Sequence, residues 1–126
     1  MSATEARVAV IIGAMDPVEM ARLAAHALVA NCQAETCMTV GEILTAMRRS
    51  EYPILFLGTR LEDMTTAELL GLLKKQGPTF FATVVVPPMA IMTAVDALRA
   101  GASDVQEQPL GLHRFLWCLQ NALSLQ

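Results

Sequence analysis

Short apolar runs alternate along the chain with longer segments in which apolar residues recur at helical spacing. The runs at residues 8–12, 54–57 and 83–86 are almost continuously apolar, which is typical of strands buried on both faces of a sheet. Two weaker strands are predicted at residues 34–38 and 104–106. The alternation favours βαβ units, in which helices connect neighbouring parallel strands.

Capping residues mark where the intervening helices begin and end. Asp16 and Pro17 predict the start of a first helix that extends to about residue 30. Two capping boxes predict the starts of a second helix, ending near residue 49, and of a third, ending near residue 75: Thr39 with Glu42, and Thr65 with Glu68. A fourth helix is predicted at about residues 90–100, before Gly101, and a fifth at about residues 110–125.

The five βα units and the length of the chain together predict one domain. Of the 126 residues, 54% are hydrophobic and 17% are charged, which is enough apolar material to cover both faces of a central sheet. We therefore predict a single α/β domain over residues 1–126, with a flavodoxin-like (βα)5 doubly wound parallel sheet of five strands in the order 2-1-3-4-5. Ligands of such sheets bind beyond the carboxyl ends of the strands, so the loops at that edge form the candidate site.

Helical periodicity assigns each helix a buried face and an exposed face. In the first helix Glu19, Arg22 and His26 share one face, which predicts that His26 is a solvated surface residue. In the fourth helix the predicted core positions are Ile91, Val95 and Leu98, and the outward positions are Met92, Asp96 and Arg99. In the last helix the predicted core stripe is Leu112, Leu116, Leu119 and Leu123, with Phe115 beside it. Trp117 falls among polar neighbours and is predicted to face solvent.

Charge and composition argue against several classes of function. The formal net charge is −3, so direct binding of nucleic acid is not expected. No apolar run approaches the length of a membrane span, and residues 1–7 lack the apolar segment of a signal peptide, so a cytoplasmic protein is expected. The sequence pairs no nucleophile with a base and contains no metal-ligand cluster, so neither an enzyme nor a bound cofactor is predicted.

The three cysteines, Cys32, Cys37 and Cys118, do not have the spacing of metal ligands. Their odd number and the expected compartment favour ordinary buried thiols. A redox pair formed by Cys32 and Cys37 is the less favoured alternative.

Three segments of the sequence resemble the receiver domains of bacterial two-component response regulators. They are Met15-Asp16-Pro17 after the first strand, the run at residues 60–64 after the third, and the run at residues 94–104, which reads A-V-D-A-L-R-A-G-A-S-D. The order of the elements agrees with this resemblance over essentially the whole chain. Such receivers are implied to hold Mg²⁺ with two acidic residues, to accept phosphate on an aspartate, and to use a Ser or Thr and a Lys at two further strand ends.

Each of these positions departs from the family pattern in this chain. The resemblance places the acidic pair at Ala14 and Met15, the phosphate acceptor at Gly58, the hydroxyl at Pro87 and the lysine at Gln108. Ala14 and Met15 offer no carboxylate oxygen to Mg²⁺, and Gly58 has no nucleophile. Asp16 is expected to cap a helix, and Asp63 and Glu62 are expected to be solvated. A divergent metal site built from Asp16 and Asp63 is a disfavoured alternative, because two carboxylates without a third ligand bind Mg²⁺ poorly.

These departures predict a pseudo-receiver that aspartyl phosphorylation cannot switch. We expect it to work as a regulatory domain of a transcription regulator, attached or separate, through a protein partner or a homodimer. The resemblance implies an interface on the fourth helix, fifth strand and fifth helix, where the candidate residues are Met92, Asp96, Arg99, Asp104, Val105, Arg114 and Trp117. A second hypothesis is a small-ligand sensor that uses the vacated pocket at the strand ends.

Overall fold

The structure, a computed structural model, describes residues 8–124. The strands are β1 (Ala9–Gly13), β2 (Gln33–Cys37), β3 (Ile54–Leu57), β4 (Phe81–Val86) and β5 (Asp104–Glu107). The helices are α1 (Pro17–Val29), α2 (Val40–Met47), α3 (Thr66–Gln76), α4 (Ile91–Ala100) and α5 (Leu112–Ser124). All neighbouring strands are parallel, in the order β2-β1-β3-β4-β5, which confirms the predicted fold class.

The element boundaries that can be compared lie within two residues of the predicted ones, and the starts of β4 and α5 are among the largest differences. Strand β4 begins at Phe81 because the Phe81 N–H donates to the Pro53 carbonyl and so extends the ladder with β3 (2.9 Å). Helix α5 begins at Leu112, after four residues (108–111) that connect it to the end of β5. The predicted end of this helix at residue 125 lies outside the described residues.

The predicted caps are present at the helix starts. The Asp16 carboxylate accepts the Glu19 N–H (3.0 Å), and both capping boxes form with their reciprocal hydrogen bonds. In the second box the bonds from Thr65 lower the pKa of Glu68, because they favour its charged form. Gly77 and Gly101 end α3 and α4 in the left-handed conformation (φ 84° and 119°), where a side chain would be strained.

The sheet separates two apolar layers. One layer packs β-strand residues such as Ile11 and Leu55 against α2, α3 and α4, and the other packs Ile12 and Phe56 against α1 and α5. Alternate residues of each central strand therefore face opposite layers, as the continuous apolar runs predict. Within the second layer the rings of Phe56 and Phe115 stack with their centres 4.6 Å apart.

The predicted core faces of α4 and α5 are wrong in part. On α4, Ile91 and Leu98 are 70% and 52% exposed, and Ala97 is the buried residue instead. Small alanines face the sheet there, so the larger apolar side chains are left outside. On α5 the buried stripe is Phe115, Cys118, Leu119 and Ala122, while Leu123 is exposed and Leu112 and Leu116 are half-buried. Within residues 8–124, no helix is both long enough and apolar enough to cross a membrane.

Two aromatic residues on α5 give a test of this packing. We expect Phe115→Ala to lower the free energy of unfolding by about 3–5 kcal/mol, because it empties a fully buried site beside Phe56. The matched control is Trp117→Ala on the same helix, which should change it by less than about 0.5 kcal/mol because Trp117 is exposed. Urea denaturation at low protein concentration measures both values. Equal losses in the two variants would contradict the observed face of α5.

Candidate functional site

The five positions singled out in the sequence lie in loops at the carboxyl edge of the sheet. Ala14 and Met15 follow β1, and Gly58 directly follows β3. The Gly58 N–H donates to the Gly13 carbonyl (2.8 Å), and the Arg60 N–H donates to the Ala14 carbonyl (3.2 Å), so the loop after β3 is bonded to the loop after β1. The fold therefore brings together Ala14, Met15 and Gly58, the positions to which the sequence resemblance assigns the acidic pair and the acceptor.

Gly58 leaves no space for a side chain. A Cβ atom at this buried glycine would lie 2.1 Å from the Ala14 carbonyl oxygen and 2.8 Å from both the Ala14 carbonyl carbon and the Met15 Cβ. These separations are far inside van der Waals contact, and two of the three atoms belong to the backbone. The loop after β1 thus occupies the volume into which an acceptor side chain would project.

Two further features hold this closed arrangement. Ala14 adopts φ 66°, a left-handed conformation that is uncommon for a residue other than glycine and costs about 1–3 kcal/mol. The buried Thr66 hydroxyl donates to the Gly58 carbonyl (2.6 Å), and the Thr66 N–H donates to the Thr59 carbonyl (3.0 Å). The start of α3 therefore also fixes the backbone of Gly58.

The other two strand ends carry Pro87 and Gln108. Pro87 is exposed and has neither a hydroxyl nor an N–H group. The Gln108 N–H donates to the Val86 carbonyl (2.8 Å), and the peptide bond between Gln108 and Pro109 is cis. Next to Gln108, the Glu107 carboxylate accepts the Met89 N–H (2.9 Å), so a side chain of β5 holds the loop between β4 and α4.

Two acidic residues at this edge, Asp16 and Asp63, bind backbone N–H groups. Asp16 caps α1, and one carboxylate oxygen of Asp63 accepts the Val40 N–H at the start of α2 (3.2 Å). Asp63 is exposed but has this helix-terminal partner, which the expectation of a merely solvated residue missed. Over residues 8–124 no group of three or more His, Cys, Asp or Glu side chains is arranged to hold a metal ion.

A cavity of about 210 Å³ lies beside the closed site, between the loops after β1, β2 and β3. Its lining is Ala14, Met15, Cys37, Met38, Arg60, Leu61 and Glu62. Arg60 and Glu62 are both exposed, so the charged groups sit at its mouth and its inner wall is apolar. This volume is smaller than the roughly 300–1,000 Å³ typical of ligand pockets.

The three cysteines are buried and unpaired thiols, as the sequence predicts. Burial raises the pKa of Cys37 to about 11, with further upward contributions from Glu35 and Glu42. Burial also raises the pKa of Cys118 to about 11, and the nearby Asp104 carboxylate contributes in the same direction. Both groups are thiols at neutral pH, whereas the thiolate is the form that acts as a nucleophile or metal ligand.

The candidate interface residues fall around the free edge of β5. Met92, Asp96 and Arg99 are exposed on α4, and Arg114 and Trp117 are exposed on α5, with the Trp117 residue 55% accessible. Val105 on β5 is half-buried. Asp104 is more internal than expected, because its carboxylate accepts bonds from the Val105 N–H and the Gln106 amide and lies 3.9 Å from the Cys118 sulfur.

Sequence reasoning missed one pair of residues near this edge. Glu19 is buried, and His26 is half-buried rather than solvated, so the predicted exposed face of α1 is wrong at both positions. Glu19 accepts the Leu110 N–H (3.1 Å), and His26 binds the Leu110 carbonyl through Nε2 (3.0 Å). The helical spacing of seven residues between them could have suggested a shared partner, but nothing in the sequence identifies Leu110 as that partner.

Comparison with solved structures identifies this architecture. The receiver domain of NtrX from Brucella abortus superposes with a TM-score of 0.78 at 25% identity, covering 92% of this chain and 99% of that one. A putative response regulator from Chloroflexus aurantiacus gives a TM-score of 0.84 at 14% identity, covering 95% and 99%. The receiver domain dimer of beryllofluoride-activated NtrC4 gives 0.80 at 21% identity, covering 92% and 96%. The chain has the receiver fold.

Sequence comparison points to the same fold, through a shorter match. The alginate biosynthesis transcriptional regulatory protein AlgB of Pseudomonas syringae pv. tomato is 31% identical over 74 residues, which are 59% of this chain and 16% of that protein. AlgB of Pseudomonas putida matches to the same extent. The chain therefore spans about one sixth of the length of these curated relatives. No family model matches the sequence.

Two glycines test whether the receiver fold is closed at Gly58 by contact with Ala14. We expect Gly58→Ala to lower the free energy of unfolding by about 1–3 kcal/mol, because the added methyl group overlaps backbone atoms that must move. Gly71→Ala in α3 is the matched control, since nothing lies within 4 Å of a Cβ there. This substitution should raise the free energy of unfolding by about 0.5–1 kcal/mol, because alanine favours a helix interior over glycine. Urea denaturation of both variants gives the comparison. A Gly58→Ala protein as stable as the parent would refute the overlap.

Proposed function

We propose that this chain is a phosphorylation-independent regulatory domain with the receiver fold, acting by protein–protein association, and that its partner is a second copy of itself. The observation that carries the proposal is the overlap at Gly58, where the Ala14 carbonyl occupies the acceptor's space. Phosphoryl transfer to an aspartate needs an oxygen nucleophile and a metal that neutralises charge. The chain supplies no nucleophile at Gly58 and no carboxylate at Ala14 or Met15.

The chemistry of the remaining residues supports the same proposal. Asp16 and Asp63 are the acids from which a divergent Mg²⁺ site would be built, and each already accepts a hydrogen bond from a helix N-terminus. A metal ion would have to displace these bonds and would still lack a third carboxylate. A sensor of small ligands has less support, because the cavity beside the site is small and offers few inward polar groups.

The surface of α4 supports association as the mode of action. Four apolar side chains of α4 and the loop before it are exposed: Met89, Ile91, Met92 and Leu98. Trp117 adds an exposed aromatic ring on α5, the helix on the other side of β5. Exposed apolar side chains concentrated on one helix are typical of interaction sites, and Trp is among the residues that contribute most to binding.

A second copy suits this surface because the charges around it are of both signs. Asp96 and Arg99 are exposed three residues apart on α4. In a twofold-symmetric pair each surface meets its own copy, so Asp96 of one protomer can lie opposite Arg99 of the other. A structural relative of this chain, the NtrC4 receiver domain, is itself a dimer in its beryllofluoride-activated state. We further propose that the domain regulates a transcription regulator, as the partial match to AlgB suggests.

Exposure to phosphate analogues tests the first half of the proposal. Incubation of the protein with Mg²⁺ and acetyl phosphate, or with beryllofluoride, should leave the mass and the amide signals around Gly58 unchanged. Gly58→Asp should behave in the same way, because Ala14 and Met15 still offer no carboxylate to Mg²⁺. A stoichiometric acyl phosphate on the parent protein, or a specific shift of the Gly58 amide with beryllofluoride, would overturn the proposal.

Substitutions on the proposed interface, with a control on α1, test self-association of the chain. Met92→Glu should weaken self-association at least tenfold, because it places a carboxylate in an apolar contact, and Trp117→Ala should weaken it by a similar factor. Leu28→Glu is the matched control, since Leu28 is as exposed as Met92 but lies on α1, across the sheet. Analytical ultracentrifugation measures the dissociation constants. Dissociation caused by Leu28→Glu and not by Met92→Glu would move the interface to α1, and a monomeric parent would refute the homodimer.

A further inference from the structure

The connection between β5 and α5 is bonded to two other parts of the fold. At its beginning, the Glu107 carboxylate accepts the Met89 N–H (2.9 Å) in the loop before α4. At its end, both backbone polar atoms of Leu110 bind side chains of α1: the N–H donates to Glu19 (3.1 Å) and the carbonyl accepts from His26 (3.0 Å). Four consecutive residues, 107–110, therefore connect the start of α4 and the start of α5 to the first and last turns of α1.

The hydrogen bonds from α1 are held in place by their surroundings. Glu19 is only 6% exposed, and its second carboxylate oxygen accepts the Arg22 Nε–H (3.0 Å), so its buried charge has two donors. His26 lies against Phe115, with the ring centres 5.6 Å apart. Because a carbonyl oxygen can only accept, the His26 Nε2 carries the proton in this bond. Leu110 itself is buried, so neither of its backbone groups can exchange these partners for water without opening.

We propose that residues 107–110 form a strap that fixes the loop before α4 and the beginning of α5 relative to α1, with no need of a phosphoryl group. The strap contains Gln108, the position at which the resemblance implies the lysine that responds to phosphate. In this chain neutral and carboxylate hydrogen bonds within the protein perform the fixing instead. The consequence for the α4 and α5 surface rests on the proposed function, but the strap itself does not.

The hydrogen bond from Met89 to Glu107 favours one conformation of the loop before α4. Met89 has φ 67°, a left-handed conformation that a non-glycine residue keeps only when other contacts favour it. The Glu107 carboxylate binds the N–H of this residue, and Met89 and its neighbours Ile91 and Met92 present the exposed apolar side chains. Glu107 is therefore a positioning residue for the apolar surface of α4, and Glu19 and His26 are positioning residues for α5.

Amide hydrogen exchange measured by NMR tests the individual bonds on the intact chain. Glu107→Ala should speed exchange of the Met89 amide by about tenfold or more, the factor that corresponds to a hydrogen bond with a charged group. Glu107→Gln should keep most of the protection, since its amide oxygen still accepts. Glu19→Ala should speed exchange at Leu110 by a similar factor, and His26→Gln, which retains a donor, should disturb α5 less than His26→Ala. Glu51→Ala, which removes an exposed carboxylate elsewhere, should leave both amides unchanged.

Action as one unit is tested by combining variants at the two ends of the strap. In a double-mutant cycle of Glu19→Ala and Glu107→Ala, the effects on exchange at Met89 and Leu110 should be non-additive, and Glu19→Ala alone should speed exchange at Met89 at least twofold. Strictly additive effects, with each amide responding only to its own partner, would overturn the strap. Because exchange is measured on the monomer at low concentration, this outcome is independent of whether Met92→Glu changes self-association. A monomeric parent with intact coupling would refute the dimer and leave the strap standing.

Discussion

The approach of the Ala14 carbonyl to Gly58 constrains the whole carboxyl edge of the sheet. The Ala14 backbone lies so close to Gly58 that no Cβ fits at position 58. Hydrogen bonds join the loops after β1 and β3 at the same place. Ala14 takes a left-handed conformation to make this approach, and the Thr66 hydroxyl fixes the Gly58 carbonyl from α3. The space that a side chain at position 58 would require is filled mainly by the main chain of Ala14.

The same loop sets the start of α1, and through α1 the effect extends across the sheet. Asp16 follows the Ala14–Met15 pair directly and caps the helix, which fixes the first turn that carries Glu19. Glu19 and, two turns later, His26 then hold Leu110 at the start of the segment leading into α5. A contact at the end of β1 and β3 is in this way connected, through one rigid helix, to the edge of the sheet at β5.

Much of the fold could be predicted from the sequence, because its signals are local. The caps at Asp16, Thr39 and Thr65 and the continuous apolar runs depend only on neighbouring residues, and all are present. The faces of α4 could not be predicted reliably, since apolar residues occur all around that helix and the small ones, such as Ala97, face the sheet. The resemblance located Gly58, but only the coordinates reveal that Ala14 fills its space. The partnership of Glu19 with Leu110 joins residues 91 positions apart, for which a single sequence contains no signal.

The carboxylates near this edge of the sheet form hydrogen bonds within the chain, both beside Gly58 and beside the exposed surface of α4. A receiver that binds Mg²⁺ must keep carboxylate oxygens free for the metal. Here Asp16, Asp63, Glu19 and Glu107 each accept a backbone N–H, at the starts of α1 and α2, at Leu110 and at Met89. A cation at any of these carboxylates would have to compete with the backbone N–H group that is bound there. The starts of α1 and α2, the segment leading into α5 and the loop before the exposed apolar side chains of α4 are thus each held by a hydrogen bond within the chain.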